Sequence, residues 1–238
     1  MKKPDELRVK IFADGADKAG MLEMYRNPLI KGFTTNPTLM RKAGISDYRT
    51  FALDILKEIK DRPISFEVFA DDFDEMERQA SEISSWAPNV YVKIPITNTR
   101  REPSDALVSR LSKKGVKLNV TALLTLGQVE RIAPCLAEAP AACISVFAGR
   151  IADTGVDPIP IMAEAVRFLR SYPNIELIWA SPRELLNIFH AESTGCHIIT
   201  VTNDVLKKLS LIGRDLSEYS LDTVKMFYDD GRQAGYSL

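Results

Sequence analysis

With 238 residues, the chain is long enough to bury a sizeable core as one large domain or two small ones, without disulfide or metal staples. Its 31 basic and 32 acidic residues leave a net charge of −1, and no basic run stands out, which argues against a nucleic-acid partner. No run of about 18 apolar residues occurs, so no membrane span is expected, and no apolar stretch long enough for a signal peptide follows the charged N-terminus. Cys135, Cys143 and Cys196 are an odd number without metal-like spacing. Cys143 and Cys196 lie in apolar runs and read as core thiols, which suits a reducing cytoplasm. His190 and His197 are too few for a histidine metal site and read as structural or surface residues.

Short apolar runs at 9–13, 32–34, 64–69, 90–94, 117–120, 143–147, 176–180 and 197–201 read as strands. Amphipathic stretches at 18–26, 48–60, 73–86, 104–114, 125–137, 160–171, 182–189 and 203–209 read as the helices between them. This alternation implies parallel strands joined by crossover helices. Eight such units at this length predict a single (β/α)8 barrel spanning 1–238. A doubly wound open sheet is the competitor, but the first strand–helix turn, Ala13-Asp14-Gly15-Ala16-Asp17, lacks the glycine spacing of a phosphate fingerprint. An extra C-terminal helix is expected over 221–235, with Val224, Phe227 and Tyr228 on one face. That face either packs back on its own barrel or reaches a neighbouring subunit.

The run Val90-Tyr91-Val92-Lys93-Ile94-Pro95 carries a lysine inside a strand. A buried lysine is costly, and a barrel interior lowers that cost by favouring the neutral amine, a nucleophile toward carbonyls. The alternative is an edge-strand lysine that faces solvent and blocks aggregation.

Barrel chemistry sits at the C-terminal strand ends. Read in order, those ends supply Asp14, then Thr34-Thr35-Asn36-Pro37, Glu67, Lys93, Asn119 with Thr121, Ser145 with Arg150, Ser181 with Arg183, and Thr200 with Thr202. Taken singly, each has a plain structural reading. Asn36-Pro37 can be a helix cap with proline at the first helical position, and Arg150 and Arg183 can be solvated loop residues. Together they offer one rim an amine, two carboxylates, hydroxyls, amides and two guanidiniums, the set a phosphorylated carbonyl substrate needs.

Gly32-Phe33-Thr34-Thr35-Asn36-Pro37-Thr38, Val92-Lys93-Ile94-Pro95, Asn119-Val120-Thr121, 144–151 (ISVFAGRI) and Ala180-Ser181-Pro182-Arg183 appear in an order that resembles the transaldolase family, including its small members close to fructose-6-phosphate aldolase. The resemblance runs from about Phe12 to about Asp204. It implies a class I mechanism without metal or cofactor, with Lys93 as the Schiff-base lysine. Asp14 matches the acid/base that acts on the C4 hydroxyl, with Asp17 the alternative. Glu67 and Thr121 match the pair that positions a water during imine formation and hydrolysis. Asn36 and Ser145 match residues that hold the dihydroxyacetone part, with Thr35 and Asn119 as supports. Arg150, Ser181 and Arg183 match the phosphate set. The implied reaction moves a dihydroxyacetone unit from fructose 6-phosphate or sedoheptulose 7-phosphate to an aldose phosphate. An aldolase that releases free dihydroxyacetone and a non-catalytic phosphosugar-binding barrel are the alternatives.

The aldolases of this group carry a tyrosine in the strand-six motif and a glutamine in the strand-three motif. This chain has Phe147 and Glu67, and a phenyl ring cannot protonate the enamine, which favours transfer over release. Gly15 stands where a hydroxyl residue is usual, and Pro182 where an aromatic is usual. The resemblance also suggests a homo-oligomer, a pentamer or decamer.

Overall fold

A computed structural model describes residues 3–236. Eight strands form a closed parallel barrel in sequence order: β1 (Lys10–Asp14), β2 (Ile30–Thr34), β3 (Ile64–Glu67), β4 (Val90–Pro95), β5 (Leu118–Leu123), β6 (Ala142–Val146), β7 (Ile175–Trp179) and β8 (Ile198–Thr202). The helices are α1 (Lys18–Arg26), α2 (Pro37–Lys42), α3 (Tyr48–Glu58), α4 (Phe73–Ser84), α5 (Asp105–Lys113), α6 (Leu126–Ile132), α7 (Ala148–Asp153), α8 (Pro158–Leu169), α9 (Leu186–Thr194), α10 (Asn203–Leu206) and α11 (Leu216–Gln233). The architecture is thus the (β/α)8 barrel expected, with an additional C-terminal helix.

The period of two along each strand sorts side chains into two layers. Phe33, Phe66, Val92, Ile94, Val120, Ile144, Leu177 and Val201 point outward and are buried beneath the helices. The opposite parity faces the barrel axis. There Phe12, Cys143, Ile178 and Ile198 form a small apolar plug, with Tyr91 against it. The Phe12 ring lies over Gly32, where a Cβ would come 2.5 Å from the ring, so glycine there makes room for the plug. Above the plug the same parity turns polar, with Ser65, Lys93, Asn119, Ser145 and Thr200 all buried.

The barrel closes through β1 and β8, in register from Lys10↔Ile198 to Asp14↔Thr202. At the foot of this seam the buried Glu192 carboxylate accepts hydrogen bonds from the Arg8 and Val9 amides, both at 2.9 Å. His197 is structural, as expected: its Nδ1 accepts from the Leu177 amide at 3.0 Å. Cys143 and Cys196 are buried thiols, also as expected.

Several boundaries depart from the sequence pattern. The stretch 125–137 is α6 followed by a 3-10 turn at Ala133–Leu136, because Pro134 cannot continue the α-helical ladder. The stretch 182–189 begins its helix only at Leu186, after an irregular turn through Pro182. The C-terminal helix starts at Leu216, not Leu221, because the Asp215 side chain caps the Ser217 and Glu218 amides. It does not pack back on the barrel. None of its residues is buried, and Val224, Phe227 and Tyr228 are each at least 60 % exposed. Among the described residues no helix is long and apolar enough to cross a membrane.

Candidate active site

A cleft of about 540 Å³ opens at the C-terminal end of the barrel. Asp14, Asn36, Glu67, Lys93, Thr121, Ser145, Phe147, Arg150, Ser181 and Arg183 all line it. Thr35 and Asn119 are fully buried and do not line it; they support the groups that do.

Lys93 is 6 % exposed, and a closed barrel has no edge strand, so the solvent-facing reading of this lysine does not apply. Register places Glu67 beside it across the β3–β4 ladder, and Nζ lies 3.0 Å from the Glu67 Oε2. Nζ also donates to the Thr35 carbonyl at 2.9 Å. Burial of the amine is therefore compensated by one carboxylate and one carbonyl, which is what keeps a buried lysine tolerable. Thr35 is fixed in turn, since its amide (3.2 Å) and its hydroxyl (2.9 Å) both donate to the Ser65 carbonyl.

Asp14 ends β1 and faces Lys93 from the other side of the cleft. Thr34 Oγ1 donates to its Oδ1 at 2.7 Å, and Asn36 Nδ2 to its Oδ2 at 3.4 Å. Thr34 is also hydrogen-bonded to Thr200, so β8 helps to hold the carboxylate. Burial pushes the Asp14 carboxyl above its ordinary 3.8, while the Lys93 charge and the hydrogen bonds from Thr34 and Asn36 pull the other way. Asp17, the alternative, caps α1 through the Gly20 amide at 2.7 Å and lies outside the cleft. Gly15 has no positive φ, and a Cβ there would meet nothing within 4 Å, so the backbone does not require glycine at this position.

Asn36 does two things at once. Its Oδ1 accepts from the Leu39 amide at 2.9 Å and caps α2, with Pro37 at the first helical position, while its Nδ2 faces Asp14. On the far wall Ser145 Oγ donates to Asn119 Oδ1 at 2.8 Å, and Asn119 Nδ2 donates to Ser65 Oγ at 3.0 Å. This buried chain ties β6, β5 and β3 together under the cleft. Thr121 sits at an irregularity in β5, next to Ala122 at φ 66°. A non-glycine residue in the left-handed region costs on the order of 1–3 kcal/mol and persists where the surroundings hold it.

The two arginines line the same cleft, Arg150 from the first turn of α7 and Arg183 from the segment between β7 and α9. The Arg150 guanidinium lies 5.5 Å from the Phe147 ring centre, within cation–π range. Arg183 is locked by Asp153, with Nε donating to Oδ1 at 2.9 Å and Nη2 to Oδ2, and its Nη1 donates to Ser181 Oγ at 3.1 Å. The Arg183 hydrogen bonds hold the Asp153 carboxyl below its ordinary range. Ser181 has φ 60° although it precedes a proline, which usually imposes extended backbone. The sequence reading did not single out Tyr48, Ala122 or Asp153. Tyr48 read only as a helix start, and the other two depend on turns that no local pattern announces.

A family model described as transaldolase/fructose-6-phosphate aldolase matches residues 11–237. The "probable transaldolase" of Dehalococcoides mccartyi is 37 % identical over 202 residues, covering 84 % of this chain and 90 % of that protein. That of a Thermoanaerobacter species is 34 % identical over 234 residues, covering 97 % of this chain and all of that protein. Among solved structures, the tryptophan synthase α subunit of Campylobacter jejuni superposes with a TM-score of 0.56 at 14 % identity, covering 86 % of this chain and 90 % of that one, a likeness of fold alone. The fold, a match from β1 to beyond α11, and relatives aligned over nearly their whole length agree: the chain belongs to the transaldolase/fructose-6-phosphate aldolase family, enzymes of the aldolase class.

Proposed function

We propose that this protein is a transaldolase that works through a Schiff base on Lys93. The observation that carries the reading is the Lys93 amine, buried in the cleft with the Glu67 carboxylate 3.0 Å away and with Asp14 and both arginines lining the same cleft. Lys93 passes a proton to Glu67, and its amine adds to the ketone carbon of a ketose phosphate. Glu67, with a water positioned by Thr121, moves the protons that let water leave and the imine form. Asp14 takes the proton of the C4 hydroxyl; the C3–C4 bond breaks, an aldose phosphate departs, and the electron pair of that bond stays on C3, neutralising the Lys93 iminium to a three-carbon enamine. An incoming aldose phosphate accepts that carbon, Asp14 returns the proton, and hydrolysis frees the lysine. Asn36 and Ser145 hold the hydroxyls of the transferred unit, and Arg150, Ser181 and Arg183 bind the phosphate. Phe147 offers the enamine no proton, which favours transfer over release.

Fructose 6-phosphate and sedoheptulose 7-phosphate are the donors expected. The three thiols are free, which suits a cytoplasmic enzyme. The exposed apolar face of α11 is the surface on which a second copy would dock.

Intact-mass measurement after mixing with fructose 6-phosphate and borohydride tests this directly. A three-carbon adduct on the native chain and none on Lys93→Ala is expected. A whole-sugar adduct would remove cleavage from the reading, and no adduct on folded protein would remove the Schiff base.

A further inference from the structure

The β2–β3 ladder stops before the site begins. Phe33↔Ile64 and Thr34↔Ser65 are paired, and the Thr35 amide still reaches the Ser65 carbonyl. Beyond that point the chain turns at Pro37 into α2, and β3 continues for two residues without a neighbour on that side. Successive backbone groups of a strand point to alternate sides. The Val68 amide turns toward β4, where it donates to the Lys93 carbonyl at 3.2 Å. Both backbone groups of Glu67 therefore face the vacated side, where no strand receives them.

The Tyr48 hydroxyl fills this position. It accepts from the Glu67 amide at 2.8 Å and donates to the Glu67 carbonyl at 3.1 Å, as one residue of a strand would. Tyr48 is the first residue of α3, and its ring is wedged edge-on between Phe66 and Phe69, at 6.0 and 4.4 Å between centres, with Trp86 at 5.9 Å. Burial pushes the phenol upward, so it stays protonated and able to donate.

We propose that Tyr48 is a positioning residue: its hydroxyl stands in for the missing β2 backbone and holds Glu67 in register with Lys93. The proposal rests on the reading of Lys93 and Glu67 given above. A carboxylate that shuttles protons must stay within hydrogen-bond reach of the amine, and small misplacements are expensive. Removing the hydroxyl frees both backbone groups of the residue whose side chain contacts Nζ.

The test is the rate of borohydride trapping with fructose 6-phosphate in four proteins: native, Tyr48→Phe, Glu67→Gln and the double variant. Tyr48→Phe keeps the wedged ring, and near-ultraviolet circular dichroism checks that the packing is native. It is expected to slow trapping by about 10- to 100-fold, the scale of an ångström-level misplacement. Its effect is expected to vanish in the Glu67→Gln background, because a group that acts through Glu67 has nothing left to position. Native trapping by Tyr48→Phe, or losses that multiply in the double variant, would overturn the proposal. Native trapping by Glu67→Gln would overturn the underlying reading of Glu67, a result recognised without the tyrosine variants.

Discussion

Replacing Gly149 by alanine tests whether the cleft wall that carries Arg150 and Arg183 depends on one backbone contact. Gly149 lies in α7 directly before Arg150, and its amide faces the Ala180 carbonyl at 3.4 Å. A Cβ built on it falls 1.6 Å from the Ser181 carbonyl oxygen and 2.7 Å from its carbon. Real contacts of this kind do not fall below 3.0 Å, so α7 and the turn after β7 must move apart. Overpacking typically costs about 1–3 kcal/mol, and this case belongs at the upper end because both partners are backbone and Ser181 already sits at φ 60°. In a domain of this size about 1 kcal/mol corresponds to roughly 2–4 °C, so about 3 kcal/mol lowers Tm by roughly 6–12 °C. The same movement separates Arg150 from Ser181 and Arg183, and KM for fructose 6-phosphate is expected to rise more than kcat falls. Scanning calorimetry and steady-state kinetics measure both. Gly127→Ala, in α6, is the control: its Cβ meets nothing within 4 Å, and it is expected to stabilise by about 0.4–1 kcal/mol. A Gly149→Ala protein with native Tm and KM would refute the reasoning.

Asp14→Ala is expected to slow cleavage by about 10²- to 10⁴-fold, the worth of a positioned acid/base. In the native protein the cleavage rate should fall with decreasing pH along a limb centred above 3.8, because burial raises Asp14 and the base must be ionised. Stability has the opposite sign. The folded state holds this proton more tightly than the unfolded chain, so ionising Asp14 costs stability as pH rises from 3.8 through the raised value, and Asp14→Asn should increase Tm near neutrality but not below pH 3.8. Phe147→Tyr adds a phenolic donor to a ring that lines the cleft, and the ratio of free dihydroxyacetone to transfer product should rise. An unchanged ratio, measured with and without erythrose 4-phosphate, would refute that reading of Phe147.

The strands and most helices were legible because their periods of two and 3.6 are imposed by burial on one side, and the sequence repeats that geometry locally. Asn36-Pro37 allowed two readings, a cap and a site residue; the cap is present, the side-chain oxygen serving α2, while the nitrogen turns to Asp14 in the cleft. The motif order located the cleft residues, and register then brought Glu67 level with Lys93. Other features were not legible. Thr34 meets Thr200 only because the barrel closes, and Tyr48 serves Glu67 only because β2 ends early. Ala122 and Ser181 adopt positive φ without a glycine to signal it, so their conformations come from packing and not from propensity. The start of α11 at Leu216 had a local signal in Asp215, whose capping role lies six residues before Leu221, where the apolar pattern placed the helix start.

The seam between β1 and β8 has a consequence for how the protein is made. Thr34, which holds Asp14, is itself held by Thr200, 166 residues further along the chain. At about 5–20 residues per second on the ribosome, roughly 10–30 s pass between synthesis of the two. During that interval β1 presents an unpaired edge, and the amides of Arg8 and Val9 wait for Glu192. A nascent chain can therefore carry Asp14, Glu67 and Lys93 without yet carrying a site, and a chain truncated before β8 would leave the ribosome with an open sheet that other chains could pair with.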